Sequence, residues 1–213
     1  MTERCIELLN VPTPAYILDV GCGSALSGEM LTEAGYIWEG IDISADMLNI
    51  AASKKVEGGL FQVDMGQGFK VRAGTFDGVI SVSALQWLCV ASRKNDVLFK
   101  RCCKFFQTLY ESMGMGSRAV FQFYPEGKHQ LEMITTAALK SGFSGGLVVD
   151  YPNSTKAKKH YLVLEAGANR NLGIVEIKGK EEVAEQHSED SENEEASANE
   201  EVQNNKAKYQ KPL

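Results

Sequence analysis

Three aspartates and one run of small residues have the type and spacing to do chemistry in this chain. Asp19 stands two residues before Gly21 in Ile17-Leu18-Asp19-Val20-Gly21-Cys22-Gly23-Ser24-Ala25. The residues ahead of Gly21 are apolar and read as a buried strand, whereas those from Leu26 onward have helical periodicity. A strand that turns through small residues into a helix brings bare backbone and a helix N-terminus close to a bound cofactor. Asp42 ends the next apolar run, where a carboxylate can accept from both hydroxyls of a ribose. Asp64 follows a third run, where it can accept from the exocyclic amine of an adenine, with Met65 placed to cover the ring. A fourth run leads through Ser81 into Ser83-Ala84-Leu85-Gln86-Trp87. Any one of these acids more often caps a helix or faces solvent. Acids at three successive strand ends point to a nucleoside-containing cofactor.

The glycine pattern narrows the choice. A dinucleotide fingerprint needs a third glycine at position 26, and this chain has Leu26. The run reads D-x-G-x-G-x-A, which resembles the turn of Rossmann-like methyltransferases that use S-adenosylmethionine (AdoMet). That cofactor has no pyrophosphate, so the turn needs open backbone rather than an anion nest. The expected cofactor-binding set is Asp19, Gly21, Cys22, Gly23, Asp42, Ile43, Asp64, Met65 and Ser81.

Elements that could position these residues alternate along the chain. Strands are expected over 16–20, 37–41, 59–63, 77–82, 118–124, 146–151 and 160–165. Helices are expected over 2–10, 26–34, 45–54, about 93–112 and 128–141. In the third helix Met47, Ile50 and Ala51 are expected to face inward, and in the fourth Val97, the stem of Arg101, Phe105 and Leu109. Only a short connection joins the last two strands, so they can run antiparallel. The expected fold is α/β, a Rossmann-like methyltransferase with a seven-stranded, mostly parallel sheet and an antiparallel edge strand. Its ligand site lies at the carboxyl ends of the strands. The domain is expected over 1–166, followed by a disordered acidic tail over 167–213.

Composition sets further bounds. The chain has 213 residues and a net charge of −6. Ten acids and no lysine or arginine fall in 181–201, and three lysines follow, so residues 1–180 carry a net +1. The acidity belongs to a segment with almost no apolar content, which cannot bury a core. A near-neutral globular part predicts weak, shallowly salt-dependent binding of free RNA. No run is long and apolar enough to span a membrane, and MTERCIELLN has no signal-peptide core. Five cysteines without a C-x-x-C pair, and three scattered histidines, make no zinc constellation. They suggest reduced thiols in a cytosolic or nuclear setting.

Longer motifs carry a more specific likeness. ILDVGCGSALSGEML, GIDISADML, VDMGQG, GTFDGVISVSALQWLC, SRAVFQFYPE and GFSGGLVVDYPNSTKAKKHYLVL together resemble the eukaryotic small-subunit (18S) ribosomal RNA (guanine-N(7))-methyltransferases over about residues 2–166. The resemblance implies methyl transfer from AdoMet to a guanine N7 in the small-subunit rRNA and a role in ribosome biogenesis. It implies the pre-ribosomal small subunit as a partner, and a small zinc-binding activator subunit on the sheet edge beside 59–63. It places the protein in the nucleus (nucleolus and nucleoplasm), with the cytoplasm as a second compartment. Guanine N7 carries an unprotonated lone pair, so no catalytic acid or base is expected. Gln86 and Trp87 are the candidates for holding the base. Relatives usually have glycine where this chain has Ala25, and end in a Lys/Arg-rich tail where this one reads NNKAKYQKPL. The alternatives are a small-molecule AdoMet methyltransferase and a non-catalytic ribosome-assembly factor whose site has decayed.

Overall fold

The computed structural model describes residues 1–91, 97–154, 156–167 and 174–181. In chain order the elements are α1 (Thr2–Leu9), β1 (Tyr16–Val20), α2 (Leu26–Glu33), β2 (Ile37–Asp42), α3 (Ala45–Ser53), β3 (Gly59–Gln62) and β4 (Phe76–Val82). Then come α4 (Leu98–Ser112), β5 (Met113–Phe123), α5 (Lys128–Lys140), β6 (Phe143–Asp150), β7 (Lys159–Ala166) and β8 (Ile174–Lys178). Single 3-10 turns lie at Met65–Gln67 and Leu85–Cys89.

The strands form one sheet in the order β3-β2-β1-β4-β5-β7-β6-β8. β1 to β5 pair in parallel, each strand being followed by a helix or turn that returns the chain to the start of the sheet. The central strands are predominantly apolar because both faces are covered, and their polar residues Asp19, Ser81 and Gln122 are themselves buried. On one face Phe105, Phe106 and Leu109 of α4 and Ile134, Ala137 and Ala138 of α5 pack on Phe121, Phe143 and Leu162. On the other, Cys5 and Leu9 of α1, Leu31 of α2 and Ala51 of α3 pack near Ile17, Ile80 and Val120. Val120 and Phe121 are neighbours that point to opposite layers, as a pleated strand requires.

The α/β class and the mostly parallel sheet agree with the sequence reading, with three differences. The antiparallel strand is not at the edge: β7 turns back from β6 and inserts between β6 and β5, pairing antiparallel with both. β8 then adds in parallel outside β6. The compact unit therefore runs Met1–Glu181 rather than ending at 166. The expected disordered segment beyond it lies outside the described residues, as does the start of the helix expected over 93–112. Finally, α3 is rotated from its expected orientation. Leu48 and Ala51 are its buried stripe, whereas Met47 and Ile50 are exposed. Val97 is exposed too, just ahead of α4.

Candidate functional site

The turn after β1 is built from positive-φ backbone. Gly21, Gly23 and Ala25 have φ of 74°, 53° and 63°. The N–H groups of Gly21 and Cys22 both donate to the Ile41 carbonyl, at 2.7 and 3.1 Å, which fastens the turn to the end of β2. A Cβ on Gly21 would run into the Ala84 methyl group, so glycine is required there for space as well as for φ. Cys22 is buried, and a Cβ on Gly40 would approach its Sγ to 2.6 Å. Burial, reinforced by the carboxylates of Asp19 and Asp42, pushes the Cys22 thiol well above its ordinary pKa. It is a packing residue and no nucleophile.

Asp42 lies beside the turn. Its Oδ2 accepts from Gly23 N–H at 2.9 Å and its Oδ1 from Ser44 N–H at 2.8 Å. Each oxygen has capacity for a second donor, and Asp42 lines a cleft of about 370 Å³. The other walls are Gly21, Ile41, Ile43, Val63, Asp64, Met65, Ser83, Ala84, Trp87, Val90 and Arg101. The apolar members among them suit a flat ring, and Asp42 suits the hydroxyls beside it.

Asp64 lines the same cleft but is already engaged. Oδ1 accepts from Gly66 N–H at 3.0 Å and Arg101 Nη2 at 2.9 Å, and Oδ2 from Gln67 Nε2 and Arg101 Nη1, both at 3.1 Å. Burial pushes its pKa up, but the Arg101 and Gly66 hydrogen bonds outweigh that and leave it below the ordinary carboxylate range. Four donors fill its acceptor capacity. Arg101 was expected only to bury its stem. Its signal was an arginine on the apolar stripe of α4, too long a side chain to end there without a partner.

Of the remaining expected residues, Asp19 is wholly buried behind the turn and takes a hydrogen bond from Ser27 Oγ. Its Oδ1 has no hydrogen-bond partner among the described residues. Burial raises its pKa to about 7, with the Ser27 hydrogen bond opposing and the Asp42 charge adding. Ser81 is also buried and donates to the Val20 carbonyl at 2.7 Å. These two, with Cys22 and Gly23, shape the turn without lining the cleft. Ile43, Met65 and Trp87 do line it, and Trp87 is 62% exposed. Gln86 donates to the Ser83 carbonyl at 2.7 Å, and its Oε1 has no hydrogen-bond partner among the described residues. Those residues hold no cluster of metal-ligating side chains.

Known proteins match this architecture. A family described as "Methyltransferase domain" matches residues 17–106. Among solved structures, a TehB-like SAM-dependent methyltransferase from Corynebacterium glutamicum superposes with a TM-score of 0.59 at 20% identity, over 78% of this chain and 86% of that one. Phosphoethanolamine N-methyltransferase 2 of Haemonchus contortus, in complex with S-adenosyl-L-methionine, gives 0.61 at 14% identity over 78% and 52%. Both likenesses concern the fold. Closer relatives are the 18S rRNA (guanine-N(7))-methyltransferase of Mus musculus, 51% identical over 87% of this chain and 67% of that protein, and a probable one of Dictyostelium discoideum, 48% identical over 90% and 68%. The 18S rRNA (guanine(1575)-N(7))-methyltransferase of Saccharomyces cerevisiae is 50% identical over 79% and 62%. This chain thus spans about two thirds of the length of such relatives. A methyltransferase-like fold, and half the residues identical across that span, have one meaning: the chain belongs to the 18S rRNA (guanine-N(7))-methyltransferase family.

Proposed function

We propose that this protein transfers the methyl group of AdoMet to N7 of a guanine in small-subunit ribosomal RNA. The observation that carries this reading is the cleft itself: Asp42, with acceptor capacity left on both oxygens, stands beside a glycine turn in which Gly21 admits no side chain. Those features fit AdoMet. Asp42 would hold the ribose, Ile43, Val63 and Met65 the adenine, and the backbone at Gly21 the methionine portion. When bound, the cofactor supplies an electrophilic methyl group on a sulfonium.

The protein's contribution is alignment. Guanine N7 needs no proton removed, so a site without a general base is sufficient, and positioning alone supplies several kcal/mol of the barrier lowering. Trp87 projects from the wall at the end of β4 and would stack on the base. Gln86 braces the turn that carries Trp87, donating to the Ser83 carbonyl, and its buried Oε1 is not presented to the base.

The test uses small-subunit rRNA transcripts, with 7-methylguanine read by mass spectrometry. Transcripts carrying 7-deazaguanine at the modified position lack the nucleophilic atom and are expected to stay unmodified. Methylation of 7-deaza transcripts, or of small acids in place of RNA, would refute the assignment.

A partner on the β3 edge belongs to the same reading. β3 is four residues long, pairs among the described residues only with β2, and leaves Phe61 half exposed. An adjoining cleft of about 440 Å³ has Leu18, Phe61, Phe69, Val71 and Phe76 in its lining, beside the polar Glu39, Gln62 and Lys70. A bare apolar edge invites aggregation, and strand addition satisfies it. The small zinc-binding activator subunit fits there, and co-expression with it is expected to raise soluble yield. We assign the protein to the nucleus, where pre-ribosomal RNA is made.

A further inference from the structure

At the carboxyl ends of β4 and β5 and the amino end of antiparallel β7, a row of side chains begins at Trp87 in the cleft wall and continues beyond the cleft. Trp87 follows β4. Tyr124 follows β5 directly and is 41% exposed. Lys159 opens β7, and its Nζ lies 5.4 Å from the centre of the Tyr124 ring. The register sets the three strand ends side by side. Val82 of β4 pairs with Gln122 of β5, and Phe123 pairs with His160 of β7. Neighbouring strands are about 4.8 Å apart, so the row crosses roughly 10 Å.

The loop ahead of β7 adds charge. Ser154 folds it, taking Ala157 N–H on its Oγ at 3.0 Å and Lys158 N–H on its carbonyl at 3.3 Å. Lys156 and Lys158 are left exposed, as is Lys128 at the start of α5. The acids nearby are exposed Glu126 and Asp150, which is buried and held by Arg4 at 3.1 Å. Four lysines therefore share one corner of a globular part whose net charge is close to zero.

Resting on the reaction assigned above, we infer that this corner is the track for the single-stranded RNA flanking the target guanine. Tyr124 is the stacking platform for a neighbouring base, and Lys128, Lys156 and Lys158 hold the phosphates. Aromatic faces interleaved with cations are what an unpaired strand requires, because every base has a face to stack and every step has a charge. Lys159 lies over the Tyr124 ring, which stays 41% exposed. The near-neutral composition hides this corner, since its lysines are balanced by acids elsewhere.

The experiment is fluorescence anisotropy of a short single-stranded RNA with the full-length protein, between about 50 and 200 mM salt. Lys156→Ala/Lys158→Ala is expected to flatten the slope of log affinity against log salt by about 1.4, the value for two phosphate contacts on a single strand. Tyr124→Ala is expected to weaken binding roughly ten- to a hundredfold at every salt concentration, and Tyr124→Phe to restore it. AdoMet affinity by calorimetry is expected to be the same in all variants, which shows them folded. RNA binding unchanged in the lysine and Tyr124→Ala variants overturns the proposal. So does equal binding of polyglutamate, or of a duplex that ignores Tyr124→Ala. A parent protein that binds RNA through these residues yet transfers no methyl group supports the track and refutes only the reaction.

Discussion

Asp42 and Asp64 are the same residue at the same place in successive β-α units, yet their surroundings give them different work. Asp42 takes two backbone N–H donors and keeps half of its acceptor capacity facing the cleft. Asp64 takes four donors, two of them from one guanidinium. A ribose can join the first without displacing anything. An adenine amine can join the second only by evicting a partner that is already charge-matched or covalently tethered nearby. Position in the fold marks a carboxylate as a ligand candidate, and its unspent hydrogen-bonding capacity decides whether it is one.

The largest expected effect tests the Asp42 half. Asp42→Ala removes the acceptor for two hydroxyls and is expected to cost about 2–4 kcal/mol of AdoMet binding, read by calorimetry. Asp42→Asn keeps one carbonyl oxygen but sets an NH2 group against a backbone N–H, so it is expected to be nearly as weak. AdoMet affinity equal to the parent's in both variants would empty the comparison.

Asp19 sharpens it from behind the turn. Its pKa of about 7 lies above the unfolded value of about 3.9. Between those values the folded state holds a proton that the unfolded state has lost, so stability falls as pH rises from about 4 to 7 and is level above that. Asp19→Asn abolishes this dependence. It is expected to be more stable than the parent by on the order of 2–4 kcal/mol at about pH 8, with the gap closing near pH 4. Denaturant titrations at the two ends measure it. An unchanged gap across that range would mean that Asp19 is solvated and belongs with Asp42.

For Asp64 the expectation is loss of stability before loss of cofactor. The side chains of the Asp64–Arg101 pair are only 16% and 11% exposed, so Asp64→Ala removes two charge-assisted hydrogen bonds from a mostly desolvated guanidinium and costs about 1–3 kcal/mol. Because the folded pKa is depressed, the parent's advantage over Asp64→Ala is full above the unfolded pKa and is lost as pH falls through the folded one. AdoMet affinity is expected to drop less than in Asp42→Ala. A larger drop would restore Asp64 as the adenine acceptor.

The contrast between the two carboxylates explains what could be read from the chain alone. Asp42 was legible as a strand-end acid beside the turn because its signals are short motifs: the strand before it, Ser44 after it, and the glycine turn that ends the neighbouring strand. Asp64 was legible as a strand-end acid but not as half of an ion pair, because Arg101 lies on a distant helix whose periodicity marked it only as a stem in the core. Asp19 was picked by motif, yet a strand covered on both faces does not show which side chains are sealed. The rotation of α3 was lost for a related reason. Met47, Leu48, Ile50 and Ala51 offer two overlapping apolar stripes, and only packing on β2 and β3 chooses between them. β8 escaped because five residues beyond Gly167 carry too little periodicity to mark a strand, and its place is set by the exposed side of β6.

The smallest expected effect concerns the turn that presents Gly23 N–H to Asp42. Ala25 N-caps α2 in the left-handed region at φ 63°, where a Cβ costs on the order of 1 kcal/mol. Its side chain is wholly buried in the core beneath α2, so the methyl group returns most of that cost as packing. Ala25→Gly exchanges relief of strain for loss of a buried methyl group and is expected to move stability by less than about 1 kcal/mol, a Tm shift within a few degrees for a domain of this size. AdoMet affinity is the more telling measurement. Gly23 N–H reaches Asp42 only if the backbone from 21 to 25 keeps its succession of positive φ angles, and glycine at 25 holds that conformation without strain. Affinity is therefore expected to stay level or rise slightly. A marked fall would mean that the Ala25 methyl group, pinned in the core, is what keeps the turn in register with Asp42, and the carboxylate's spare capacity would then depend on packing behind the turn as much as on the donors in front of it.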